Sequence, residues 1–434
     1  MTTDLADFIT NAQMIDTHEH MRTEQVWVED GPDDVLRSLF ESYVCGDLVS
    51  AGAEPRAVDR LLDAADGDIE GRWFGVEDAW RAIEHTGYGQ AVRIAAKDVF
   101  GIDEITPDTV RAAQPKLDEL RQPGERLRIL RDLAKLDHIQ TDNGIRTQLP
   151  DASGPGFFFY DISWVGFVYR GVDWDLLERE TDVAISDLDS LEQAMRRIFE
   201  LHGKYAVAVK TQHAYNRTLC WQKRDRADAE RAFARYRRDL DHTDEEARLC
   251  FGDWALARGC ELAGEFHLPV KIHCGYYAGN GSMVTDRIRA GNLCPLLIEY
   301  PDTRFVLMHI AYPYSDELIA MAKHFRNVWA DLCWAWSLNP VASADFVRRF
   351  IHAAPASKLF AFGGDTKSPT DAYAFSIQMR RYLTKALETE VEEGELTEAQ
   401  AIAFAQRIMY ENQMQCFDVE ATRTANVEAL TAAV

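Results

Sequence analysis

The chain has 434 residues, 47% of them hydrophobic, with a formal net charge of −24 and a sequence pI near 4.9. That is enough for one large barrel with insertions or for two or three ordinary domains, and for a substantial core. The acidic balance argues against nucleic acid or an anionic membrane as partner, since both attract basic surfaces.

The opening stretch MTTDLADFITNAQ carries acidic residues where a secretory signal carries basic ones. No window offers the roughly 18 apolar residues of a membrane span. A cytoplasmic protein acting on a small molecule is expected, with homo-oligomerisation open to it. The 8 cysteines show no CxxC or other tight spacing and read as reduced, mostly buried side chains.

In chain order, short β-branched or aromatic runs recur. They are QMID (13–16), LDHIQTD (136–142), a run within GFFFYDISWVGFV (156–168), KYAVAVK (204–210), LPVKIH (268–273), RFVLMH (304–309), NVWADLCW (327–334) and KLFAFGGD (358–365). Between them lie helical patterns with apolar residues three and four apart, such as 191–203, 247–266 and 316–325. Eight strands alternating with helices predict an α/β fold, a (β/α)8 TIM barrel, over an open doubly wound sheet. The long gap after the first strand carries further helical patterns (55–65, 77–101, 108–122), so 21–130 reads as a helical cap over the barrel mouth. The charged stretch 215–245 reads as an exposed helical insertion, and the tail after 370 as closing helices. The whole chain, 1–434, is expected to form one domain.

In such a barrel the chemistry gathers at the C-terminal ends of the strands. His18 and His20 in MIDTHEH end the first predicted strand and project the same way, because alternate strand residues share a face. Lys210 ends the fourth, His273 the fifth, His309 the sixth and Asp365 the eighth. Imidazoles and a carboxylate converging on one rim suit Zn²⁺ and tolerate Mn²⁺ or Fe²⁺.

This ordered set resembles the amidohydrolase superfamily, with HxH on the first strand, His on the fifth and sixth and Asp on the eighth. FVLMHIAYPYSDELIAMAKHFRNVWADLCW followed by LFAFGGDT is similar to the amidohydrolase-2 branch, which includes uronate isomerases and metal-dependent decarboxylases. The cap segment RAIEHTGYGQAVRIAAKDVFGIDEI is similar to the corresponding part of uronate-isomerase-like proteins. The resemblance implies one divalent ion, expected to be zinc, on His18, His20, His273 and Asp365. Asp365 would also carry a proton and His309 would polarise a substrate carbonyl. If Lys210 is carboxylated, the resemblance implies two ions instead, the second on His273 and His309.

With a single ion, Lys210 and Arg217 become candidates for gripping an anionic substrate, and Tyr276 and Trp334 for lining the pocket. Tyr277, Trp336, Asp161 and Asp331 are weaker candidates. The expected activity is hydrolysis of an amide, lactone or related bond in a small carboxylate-bearing molecule by metal-activated water. A sugar-acid isomerase or non-oxidative decarboxylase on the same site is the alternative.

Overall fold

The computed structural model describes residues 3–147 and 149–432. Eight strands form one parallel sheet in sequential order: β1 (Met14–Glu19), β2 (Leu136–Thr141), β3 (Phe158–Ser163), β4 (Ala206–Thr211), β5 (Val270–Ile272), β6 (Phe305–Leu307), β7 (Val328–Asp331) and β8 (Leu359–Phe360). Main-chain bonds from Thr17 N to Phe362 O (3.0 Å), Asp365 N to His18 O (2.9 Å) and His20 N to Thr366 O (3.0 Å) bring the last segment back to the first and close the barrel. All eight strands fall on or within the runs read from sequence, apart from the ends of β1 and β4. Their residues are buried apart from the half-buried Asp137 and Trp329, as expected for a sheet covered on both faces.

The helices between strands begin at side-chain caps. Asp187 and Ser190 form a reciprocal capping box at the start of Leu188–His202, and Asp244 accepts from Ala247 N at the start of Glu245–Glu265. The latter helix ends five residues before β5, a connection typical of βα repeats.

Short helices from Glu24–Asp30 to Pro107–Leu120 fill the interval between β1 and β2. The predicted run 77–101 is broken into Glu77–Ile83 and Gly87–Ile94, because the Thr86 hydroxyl accepts from Gly89 N and starts a new helix. Gly87 at that restart is required by contact with the barrel: a Cβ there would stand 2.1 Å from Ser337 O. Between the short turn of helix ending at Tyr215 and the helix that begins at Glu245, helix covers Arg226–Arg238. It is not simply exposed, since Ala229, Ala232, Phe233 and Tyr236 are buried and the rings of Phe233 and Tyr236 pack on Phe251. No helix among the described residues is long and apolar enough to cross a membrane.

Candidate metal centre

The residues singled out at the strand ends meet on one rim. His18 lies in β1 and Lys210 in β4, while His20, His273, His309 and Asp365 follow β1, β5, β6 and β8 directly or within a few residues. The turns that aim them are tight. His309, Trp334 and Asp365 have φ of 60°, 61° and 56°, the left-handed region that non-glycine residues rarely occupy. Main-chain bonds hold them there, including Trp334 N to Gly363 O (2.7 Å). Gly364 lets β8 pass Glu19, where a Cβ would come within 2.1 Å of Glu19 Oε1.

Asp365 is the hub. Its Oδ1 lies 3.4 Å from His18 Nε2 and 3.2 Å from His20 Nε2, and its Oδ2 lies 3.7 Å from His309 Nε2. Donor atoms of His18, His20 and Asp365 all fall within 4.8 Å of one another, as do those of His309, Cys333 and Asp365. In a tetrahedral site with bonds of 2.0–2.2 Å, neighbouring donors stand about 3.3–3.6 Å apart. The arrangement around Asp365 therefore fits a divalent ion with little movement.

Protonation points the same way. His20 Nδ1 donates to Asp142 O (2.6 Å) and His309 Nδ1 to Cys333 O (3.0 Å), so in each ring Nε2, the nitrogen turned toward Asp365, is the one open to a metal. Burial, reinforced by the Lys210 charge, holds His18 well below the usual imidazole range, and burial holds His309 down to about 4 despite Asp365. Burial also lowers His20, but its bond to Asp365 outweighs this and raises it. Burial pushes the Asp365 carboxyl up, yet the His18 and His20 rings against it and the neighbouring His309 bring it well below its usual range.

Deeper in the barrel lies a layer of carboxyls. Burial raises Asp16 to about 7 against its bonds to Glu19 and the main chain, raises Asp331 to about 7 against its bond from Thr17, and raises Glu19 well above its usual range.

His273, expected among the ligands, stands one step back from the His18, His20 and Asp365 trio. Its Nε2 donates to Tyr276 O (3.0 Å), so its Nδ1 meets His309 Nε2 at 2.9 Å with both N–H groups already committed to carbonyls. That contact is satisfied by a proton or a cation between the rings. His309, expected to polarise a carbonyl, has its N–H turned away toward Cys333. Lys210 is fully buried and donates to His18 Nε2 (3.3 Å) and Gln212 Oε1 (3.2 Å), which makes it the cation closest to the donors.

Arg217 corrects the sequence reading. Its guanidinium is buried in an ion pair with Asp253 (2.6 Å) and also donates to the carbonyls of Thr218 and Cys220. It is built into the fold and does not present a fork to a substrate. Trp334 does cover the centre, with ring centroids 5.3 Å from His309 and 5.8 Å from Tyr276. Sequence reasoning missed the cap's contribution. Tyr43 packs on Trp334 at 4.6 Å and on Tyr88 at 5.6 Å, and its hydroxyl donates to Asp365 O at 2.5 Å. Neither cap tyrosine lies in a spacing pattern that marks it. Outside this aromatic cover is a cleft of about 310 Å³ lined by Tyr43, Asp47, Tyr88, Tyr276 and Asn280 among others.

Residues 241–400 match the amidohydrolase family model Amidohydro_2. Over 254 residues, 54% of this chain, the sequence is 22% identical to protein fluG of Emericella nidulans, and the chain spans only 29% of the length of that relative. Among solved structures, a uronate isomerase from Thermotoga maritima superposes with a TM-score of 0.77 at 13% identity, covering 95% of this chain and 96% of that one. A glucuronate isomerase from Caulobacter crescentus superposes with a TM-score of 0.78 at 16% identity, covering 95% and 92%. At these identities the likeness is one of fold, and it includes the cap. Residues 241–400 of the chain thus match an amidohydrolase family model, on a barrel built like those of the uronate isomerases.

Proposed function

We propose that the chain is a cytoplasmic metal-dependent isomerase of small sugar acids, interconverting an aldehyde and a ketone by moving a proton between adjacent carbons. One observation carries the reading. His18, Lys210, His273, His309 and Asp365 are each at most 3% exposed, sealed by Trp334 and by the cap's Tyr43 and Tyr88. Only His20, its side chain 26% exposed, opens toward the cleft, and so enclosed a site suits a reaction that consumes no water and must not lose the proton in transit.

His18, His20 and Asp365 are the residues that would hold the ion, with zinc expected from two imidazoles and a carboxylate. When bound, the ion supplies Lewis acidity that acidifies a carbon-bound proton beside a carbonyl. Asp365, kept ionised, is the base that takes the proton from one carbon and returns it to the next. The Lys210 amine places positive charge where an enediolate oxygen develops or where the substrate carboxylate settles. Burial and the Asp365 charge push the Tyr43 phenol well above its usual range, so it stays protonated and holds the cap against the Asp365 main chain. The names of the structural relatives, uronate and glucuronate isomerases, accord with this substrate class.

Hydrolysis of an amide or lactone is the second reading, favoured by the family match over residues 241–400. Zinc-loaded protein incubated with hexuronates in D2O distinguishes them. Formation of the ketose with little solvent deuterium at the carbon that receives the proton supports isomerisation. Turnover of N-acyl amino acids or lactones, with hexuronates untouched, supports hydrolysis.

A further inference from the structure

Lys271 was not marked by any spacing in the sequence, yet it sits in β5 two residues before His273 and is completely buried in the barrel interior. Its Nζ donates to both oxygens of Asp161 in β3 (3.0 and 2.9 Å) and to the main-chain oxygen of Thr17 (2.7 Å). Thr17 immediately precedes His18, so one ammonium holds both the backbone of the HxH limb and a carboxylate facing it. Asp161 Oδ2 lies 3.9 Å from His18 Nδ1. Because Lys210 donates to His18 Nε2, the proton of that ring resides on Nδ1, which has no hydrogen-bond partner among the described residues.

We infer that Lys271 and Asp161 form a positioning device for His18, resting on the reading above that His18 holds a divalent ion. At 3.9 Å from Nδ1 the Asp161 carboxylate acts on the ring through its charge, favouring the proton on Nδ1 and strengthening Nε2 as a ligand. Lys271 pairs with that carboxylate and aims it, and its bond to Thr17 O sets the depth of the strand. Neither residue touches substrate. A purely structural pair in this position would serve equally well as two apolar side chains, since replacing a buried ion pair by hydrophobes of similar volume is often neutral for stability.

That difference supplies the test, read as zinc affinity by chelator competition together with the melting temperature of the metal-free protein. Asp161→Asn keeps the shape of the side chain and is expected to weaken zinc binding about 10- to 100-fold. Lys271→Met takes the ammonium away from the buried Asp161 carboxylate and is expected to lower the melting temperature as well. The Lys271→Met/Asp161→Leu double variant is expected to regain the melting temperature while zinc binding stays weakened by the same factor. Recovery of both in the double variant, or unchanged affinity in Asp161→Asn, would overturn the inference. Failure of the wild-type chain to bind zinc at all would instead overturn the reading of the centre on which it rests.

Discussion

Tyr43, from the cap, donates its hydroxyl to the main-chain oxygen of Asp365 across 2.5 Å, although the two residues lie 322 positions apart. The bond ties the element that covers the centre to the residue around which the centre is organised. Removing it leaves a buried carbonyl short of a partner, at a cost of about 1–3 kcal/mol. Tyr43→Phe is therefore expected to lower kcat by roughly 10- to 100-fold while zinc stoichiometry is unchanged. Steady-state kinetics beside metal analysis checks this, and full activity in the variant would detach Tyr43 from catalysis.

Asp365 combines two roles, and a single substitution separates them from folding. Asp365→Asn retains the volume but loses the charge that faces His18, His20 and His309. Turnover is expected to fall by about 10²- to 10⁴-fold and zinc affinity to fall with it, while the far-ultraviolet circular dichroism spectrum is retained. Residual turnover within a factor of a few of wild type would require another base.

Asp371 gives the fold a pH dependence apart from the ligands. Burial pushes its carboxyl from an ordinary value of 3.8 up to about 7, against the bond from Thr366 and with the Glu41 charge adding to the rise. Between these values the folded chain keeps a proton that the unfolded chain releases. Stability from this group is therefore complete below the unfolded value and is lost as pH rises toward 7, with a slope of at most about 1.4 kcal/mol per pH unit. Asp371→Asn is expected to match wild type near pH 4, gain on it progressively and level off above 7. Parallel melting curves with pH would refute the assignment.

What the sequence revealed and what it hid follow from the range of the interactions involved. Strand runs such as KYAVAVK and RFVLMH are local patterns, and the barrel made of them puts His18, His20, His273, His309 and Asp365 at one end. The order of these residues along the chain, and hence the family resemblance, was legible for the same reason. Arg217 misled because a basic residue after a strand end looks alike whether it faces the mouth or a helix. Only the tertiary position of Asp253, in Glu245–Glu265, decides between them. Lys271 was invisible because its partners lie 110 and 254 positions away. The cap tyrosines depend on how the helices of the cap settle on the barrel.

The buried state of Arg217 predicts the phenotype of its loss. Arg217→Met removes one partner of Asp253 and leaves Arg224 Nε, at 2.9 Å, as the other. A loss on the order of 3 kcal/mol in stability is expected, at the low end for breaking a buried pair, with KM unchanged. A specific rise in KM without a fall in melting temperature would restore the substrate-gripping role.

Gly87 tests whether the seating of the cap, apart from any chemical group it carries, sets activity. A Cβ there would meet Ser337 O at 2.1 Å and Pro340 Cδ at 3.1 Å, atoms of a segment that cannot swing aside as a flexible side chain would. The helix Gly87–Ile94 must shift instead, and Tyr88, whose ring packs 6.4 Å from that of Trp334, shifts with it. Gly87→Ala is expected to lose about 1–3 kcal/mol of stability, to open the cap to limited proteolysis and to depress kcat. Gly67→Ala, also in the cap, meets nothing within 4 Å and is expected to leave kcat and proteolysis unchanged. Equal behaviour of the two variants would mean that the centre works independently of how the cap is seated, and the closure argument for isomerisation would lose its footing.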